Sequence, residues 1–183
     1  MDYRHLRETD LLLCMDMQQE QQVSRRGFTG DKSTERLTYC FEMLRDWRES
    51  NRPIVHLKRV AQAAWFNPAS SLTNWIDGWT PLPGEDVFEH SLPSAYSSRR
   101  FSEFMDNLTN TTCHIIGFSL EEAVLATAIE AMHRGHDIRI VERAVLSLNT
   151  TFIEDASYRR VLLGVIQNFA SIDSDKFVLG STP

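Results

Sequence analysis

The stretch IIGFSLEEAVLATAIEAMHRG, Ile115 to Gly135, decides the fold class. With the preceding Cys113 and His114 it opens as CHIIGF, a short apolar run without polar alternation, the pattern of a strand covered on both faces. Gly117 ends the strand. Ser119 followed by Glu122 makes an S-x-x-E capping box, so a helix starts there and runs to about Arg134, where Gly135 suits a C-cap. The first-turn N–H groups of such a helix lack intrahelical partners and carry the positive end of the macrodipole, which favours an anion or a developing oxyanion. A cysteine in that turn would be a thiolate of lowered pKa, placed for acyl transfer. Position 123 holds alanine instead.

Three further runs share the strand character: LLLCM (Leu11–Met15), PIVHL (Pro53–Leu57) and DIRIV (Asp137–Val141), with FVL (Phe177–Leu179) as a weaker fifth strand. Between them apolar residues recur at three- and four-residue steps: Leu37, Phe41, Leu44 and Trp47; Phe101, Phe104 and Leu108; Val161, Leu162, Val165, Ile166 and Phe169. Strand alternating with helix predicts an α/β fold, a three-layer, doubly wound, mostly parallel sheet with right-handed crossovers. The 183 residues, 42% hydrophobic, suit one domain spanning 1–183.

The formal net charge of -6 and the scattering of basic residues into short clusters (Arg25–Arg26, Lys58–Arg59, Arg99–Arg100) argue against a nucleic-acid partner. No apolar run approaches the ~20 residues that span a bilayer. The N-terminus MDYRHLRETD is too charged for a signal peptide, so no membrane partner and a cytoplasmic location are expected. The three cysteines (Cys14, Cys40, Cys113) show neither disulfide nor zinc spacing and read as small buried hydrophobes.

The section Ala61–Tyr96 is rich in Trp, Pro, Ser and Gly, and a connection of that length is expected to wall a binding site or to pack down on its tryptophans. In open α/β sheets ligands sit beyond the carboxyl ends of the strands, which gathers Asp16, Lys58, Arg59 and the turn Gly117–Ala123 around one crevice. His133 and His136 flank Gly135 at a helix end, where they complement the dipole.

LLLCMDMQ, PLPGEDVFEHSLPSAY and IIGFSLEEAVLATAIEAMHRGHDIRIVERAVLS, in this order and spacing, resemble the isochorismatase-like hydrolases, the cysteine hydrolase superfamily that includes nicotinamidases and carbamoyl-amide hydrolases. The likeness runs from Leu11 to Ser147. It implies a sheet of about six strands and a homo-oligomer, dimer or tetramer. It also implies an aspartate at the end of the first strand, a lysine before an S-A-aromatic element, and a cysteine six residues after the glycine of the last turn. Asp16 matches the aspartate, and Gln18 follows it in the family's D-x-Q manner. His90 stands where the lysine is expected, ahead of Ser94-Ala95-Tyr96, and Ala123 occupies the nucleophile position. Leu120 replaces a threonine and Arg143 an aspartate. The Phe118–Ser119 bond falls where the family often has a non-proline cis peptide, which would aim the amides of Ser119 and Ala123 into the crevice.

Removing the nucleophile of an acyl-transfer triad costs on the order of 10⁶ in kcat, so thiol chemistry at position 123 is excluded. Histidine in place of lysine drops the reference pKa from about 10.4 to about 6.5, so Asp16 loses the cation that would hold it ionised and becomes a candidate general acid. Two functions remain open. One is the vinyl-ether hydrolysis implied by those isochorismatases that also lack the cysteine but keep the lysine. There Asp16 is the acid, His90 its partner or water orienter, the Ser119 and Ala123 amides anion donors, and Lys58 or Arg59 the contact for a substrate carboxylate. The other is a non-catalytic member that binds a small acid or serves a structural role, favoured by the joint changes at positions 90, 123 and 143. Gln18, Trp65 and Tyr96 complete the expected small-molecule contacts. No cofactor is expected, and no metal of the nicotinamidase kind, because VAQAAWFNPASS lacks the D-x-H ligand pattern.

Overall fold

A computed structural model describes residues 10–23, 31–63, 65–148 and 154–174. Its sheet is built from β1 (Leu11–Met15), β2 (Ile54–Arg59), β3 (Asp86–His90), β4 (Thr112–Phe118), β5 (Asp137–Leu146) and β6 (Ser171–Asp173), in the order β3-β2-β1-β4-β5-β6. Every neighbouring pair is parallel. The helices are α1 (Gln19–Val23), α2 (Asp31–Glu49), α3 (Arg99–Asp106), α4 (Leu125–Arg134) and α5 (Asp155–Ile166).

Strand β1 shows why the central runs are apolar without alternation. Leu11, Leu13 and Met15 pack with Phe101 and Phe104 of α3, Ala131 of α4 and Ile166 of α5, while Leu12 and Cys14 pack with Cys40, Leu44 and Trp47 of α2. With both faces covered, each position along the strand is a core position. The edge strand β3 differs: Phe88 and His90 are buried while Val87 and Glu89 face out, a half-exposed alternation too short to stand out in the sequence. The three-residue edge strand β6 is likewise not announced by periodicity, and the expected strand at 177–179 lies outside the described residues. Helix α5 ends at Ile166, so Phe169 belongs to the turn beyond it.

The chain leaves β1 toward β2 and β3 on one side and returns through β4 to β5 and β6 on the other, so the crevice opens above the ends of β1 and β4. Gly117 holds these strands together there. Its φ is +108°, and a Cβ on it would lie 2.2 Å from the Met15 carbonyl oxygen.

The long β2–β3 connection is pinned on the α2 face. Glu85 accepts hydrogen bonds from Arg48 Nε at 2.7 Å, Leu82 N at 2.9 Å and His56 Nε2 at 2.8 Å. Burial opposes the charge on this carboxylate, but those three donors outweigh it and bring its pKa down to about 2. His56 is wholly buried, which lowers its pKa and keeps it a neutral donor. Trp79, also fully buried, packs tilted against Phe41 with ring centroids 5.2 Å apart. No helix among the described residues is long and apolar enough to cross a membrane.

Candidate functional site

Asp16 follows β1 directly, with a left-handed φ of 48° that an aspartate tolerates better than most residues. Its N–H still bonds the Leu57 carbonyl, so the carboxylate is set by the sheet rather than by a free loop. His90 ends β3. Its Nε2 lies 2.7 Å from Asp16 Oδ1 and its Nδ1 2.8 Å from the Leu92 carbonyl oxygen. A carbonyl only accepts, so Nδ1 carries a proton. Burial works against a charged ring, but the Asp16 charge, its hydrogen bond and the Leu92 carbonyl together raise His90 above the ordinary histidine value. The two side chains form a close hydrogen-bonded pair, both under 3% exposed. The Asp16 carboxylate and the Leu92 carbonyl thus pull the ring toward its charged form.

Strand β2 runs between the partners, and Arg59 at its end pairs in register with His90. Gln18 is spent on this strand end. Its Oε1 accepts from Arg59 N at 2.8 Å, and its Nε2 donates to the carbonyls of Arg59 and Thr73, each at 2.9 Å. The amide extends the sheet by one rung, which leaves it unsuited to the ligand contact expected from the sequence.

Beside this assembly lies a cleft of about 670 Å³. Glu20 and Gln21 of α1, Arg59, Trp65 and Phe66 of the β2–β3 connection, and Glu121 and Glu122 beyond β4 form much of its wall, with Tyr158 of α5 closing one side. Asp16, His90, Ser119 and Ala123 are each buried to within 2% and are not part of that wall. Arg59 reaches Glu122 with an Nη2–Oε1 distance of 3.2 Å and sits 5.7 Å from the Phe66 ring. Ala61 and Ala63 line the same connection.

Among the expected contacts, Arg59 and Trp65 face the cleft and the others do not. Lys58 points to the opposite face of β2 and rests 5.8 Å from the Trp75 ring. Tyr96 is buried against α3, where its O–H donates to His136 Nδ1 at 2.6 Å. Burial lowers the His136 pKa, and a neutral ring is what accepts this bond. His133 bonds the Ile129 carbonyl at the end of α4. Arg143 belongs to an irregular stretch of β5, where Ile140 pairs with Ile115 but Val145 with Gly117. It stacks 4.8 Å from Tyr39 and meets Glu35 at 3.4 Å, an α2 contact remote from the site.

The turn after β4 enters the helix differently from the capping box expected of it. The Phe118–Ser119 peptide is cis, Leu120–Val124 is one π-helical turn, and the Ser119 side chain makes no cap bond. Val124 N bonds the Ser119 carbonyl at 3.0 Å, and Glu122 is taken by Arg59 instead of reaching back. Gly135 does end α4, at φ 78°. Glu20, Glu121 and Glu122 line the cleft. Nothing in their spacing points to a shared wall.

An isochorismatase domain model matches residues 10–172. The chain belongs to the isochorismatase family. Over 137 residues, 73% of this chain and 72% of the relative, it is 26% identical to the secreted isochorismatase effector Isc1 of Verticillium dahliae. Its fold matches an isochorismatase from Pseudomonas putida KT2440 with a TM-score of 0.75 and 23% identity, covering 91% of this chain and 88% of the other. An isochorismatase-family protein from Chromobacterium violaceum gives 0.78 at 18% identity, over 91% and 89%. The six-stranded parallel sheet is thus the family's hydrolase fold.

Proposed function

We propose that this isochorismatase-family protein binds a small molecule in the cleft beside Arg59 and does not hydrolyse it through a thiol. The observation that carries the reading is the state of the reactive groups. Position 123 offers a methyl group, and Asp16 and His90 spend their hydrogen bonds on each other and on Leu92 out of reach of solvent. The protein's own thiols offer no substitute. Cys14, Cys40 and Cys113 are all buried, and burial pushes each thiol up, Cys113 to about 12. A protonated buried thiol is not a nucleophile.

A second reading has one observation in its favour. The proton on His90 Nε2 lies on a 2.7 Å bond to Asp16 and, once transferred, makes Asp16 a carboxylic acid. That acid can protonate a vinyl-ether carbon, water adds to the resulting oxocarbenium carbon, and the hemiketal collapses with loss of the alcohol. The name of the Verticillium relative, an isochorismatase effector, agrees with this chemistry.

Incubating the pure protein with isochorismate, nicotinamide and an N-carbamoyl amino acid separates the readings. The binding reading expects no turnover of any of them above that of Asp16→Asn. Turnover of isochorismate that Asp16→Asn abolishes establishes acid hydrolysis, and amide turnover overturns both readings.

A further inference from the structure

We propose that the cleft takes a small organic cation, a protonated amine carried on an apolar frame, with Glu20 as its counter-ion; this deepens the ligand-binding reading and rests on it. Glu20 is 2% exposed although it lines a cleft of about 670 Å³. Its Oε2 accepts one long hydrogen bond, 3.4 Å from Phe66 N, and its Oε1 accepts none among the described residues. A carboxylate taken out of water this completely is costly unless a cation or several donors face it. The basic side chain on the described cleft wall, Arg59, reaches Glu122 at 3.2 Å and makes no ion pair with Glu20 among the described residues.

The remaining wall suits the same ligand. Trp65, Phe66 and Tyr158 present aromatic rings to the cleft, and Trp65 stands 40% exposed in the β2–β3 connection. Aromatic faces attract a cation through their quadrupole, and an ammonium desolvated between rings and a carboxylate gains from both. A carboxylate ligand, the class expected from the pair Lys58 and Arg59, meets the opposite conditions. Lys58 is turned away to Trp75, Arg59 is already paired, and Glu20 and Glu122 repel a second anion.

Three probes of similar size and different charge test this on the full chain by isothermal titration at pH 7.5: 2-phenylethylamine, 2-phenylethanol and phenylacetate. The amine is expected to bind about tenfold tighter than the alcohol or better, with phenylacetate weakest, since a buried charge pair contributes at least that much. Glu20→Gln, nearly isosteric, should weaken the amine about tenfold and bring it level with the alcohol. Trp65→Ala, at an exposed position, should weaken the amine severalfold while leaving the fold intact. Equal or tighter binding of phenylacetate overturns the proposal. So does an amine preference that survives Glu20→Gln, or no binding of any probe. These outcomes are independent of the turnover assay: hydrolysis with cation binding sinks only the ligand-binding reading, and anion binding without hydrolysis sinks only the charge assignment.

Discussion

Asp16, one residue past β1, and His90, the last residue of β3, close a 2.7 Å hydrogen bond across the end of β2, with both side chains buried. The sheet thus brings into contact two side chains that are 74 residues apart. The charged ring is favoured because its partner is a carboxylate and its far nitrogen meets a carbonyl, an arrangement that histidine fills with two N–H groups where lysine would use three on a single atom.

The pair makes stability depend on pH in a defined direction. His90 has a raised pKa in the fold, so its contribution is complete below the unfolded value of about 6.5 and is lost as pH rises through the folded value. Urea midpoints measured from pH 6 to 9 should fall for the native chain. His90→Leu should be destabilised by about 3–5 kcal/mol at pH 6, because Asp16 is left buried without a partner. His90→Lys, whose charge persists to about pH 10, should flatten the profile. Parallel profiles for the native chain and His90→Leu would show that the pair is not charged.

The thiols give an independent check on the chemistry. Cys14, Cys40 and Cys113 are no more than 1% exposed, and burial raises each pKa. Iodoacetamide at pH 8 is expected to leave the folded protein unmodified by mass spectrometry and to label all 3 cysteines in urea. Any turnover seen in the assays should survive that treatment unchanged. Loss of activity on native alkylation would instead assign a cysteine to the reaction.

Gly117 tests the packing of β1 against β4 beneath the crevice. Alanine there needs a φ of +108° and brings Cβ to 2.2 Å from the Met15 carbonyl, a clash with backbone that no side-chain rotation relieves. Gly117→Ala should therefore cost about 4 kcal/mol or more, or prevent folding. Gly84→Ala, at φ +98° with nothing within 4 Å, carries only the conformational penalty of about 1 kcal/mol. Thermal melts of the two variants compare them directly, and equal shifts would contradict this account of Gly117.

The sequence by itself determined the layered α/β fold, because β1, β2 and β4 lie between two helix layers and are buried on both faces, a pattern visible as short apolar runs. It also determined that position 123 carries no thiol, and the order of its motifs placed Asp16 and His90 at the ends of strands. The tertiary structure alone decided what those residues do. Whether His90 is charged depends on Asp16 and Leu92 facing its two nitrogens, and whether Gln18, Lys58 and Tyr96 can meet a ligand depends on partners far along the chain. The cleft that gathers Glu20, Arg59, Trp65 and Glu122 is assembled from α1, the end of β2 with the connection after it, and the turn after β4. Local pattern records which face of an element is buried, whereas protonation, pairing and access are set by neighbours that only the folded chain brings together.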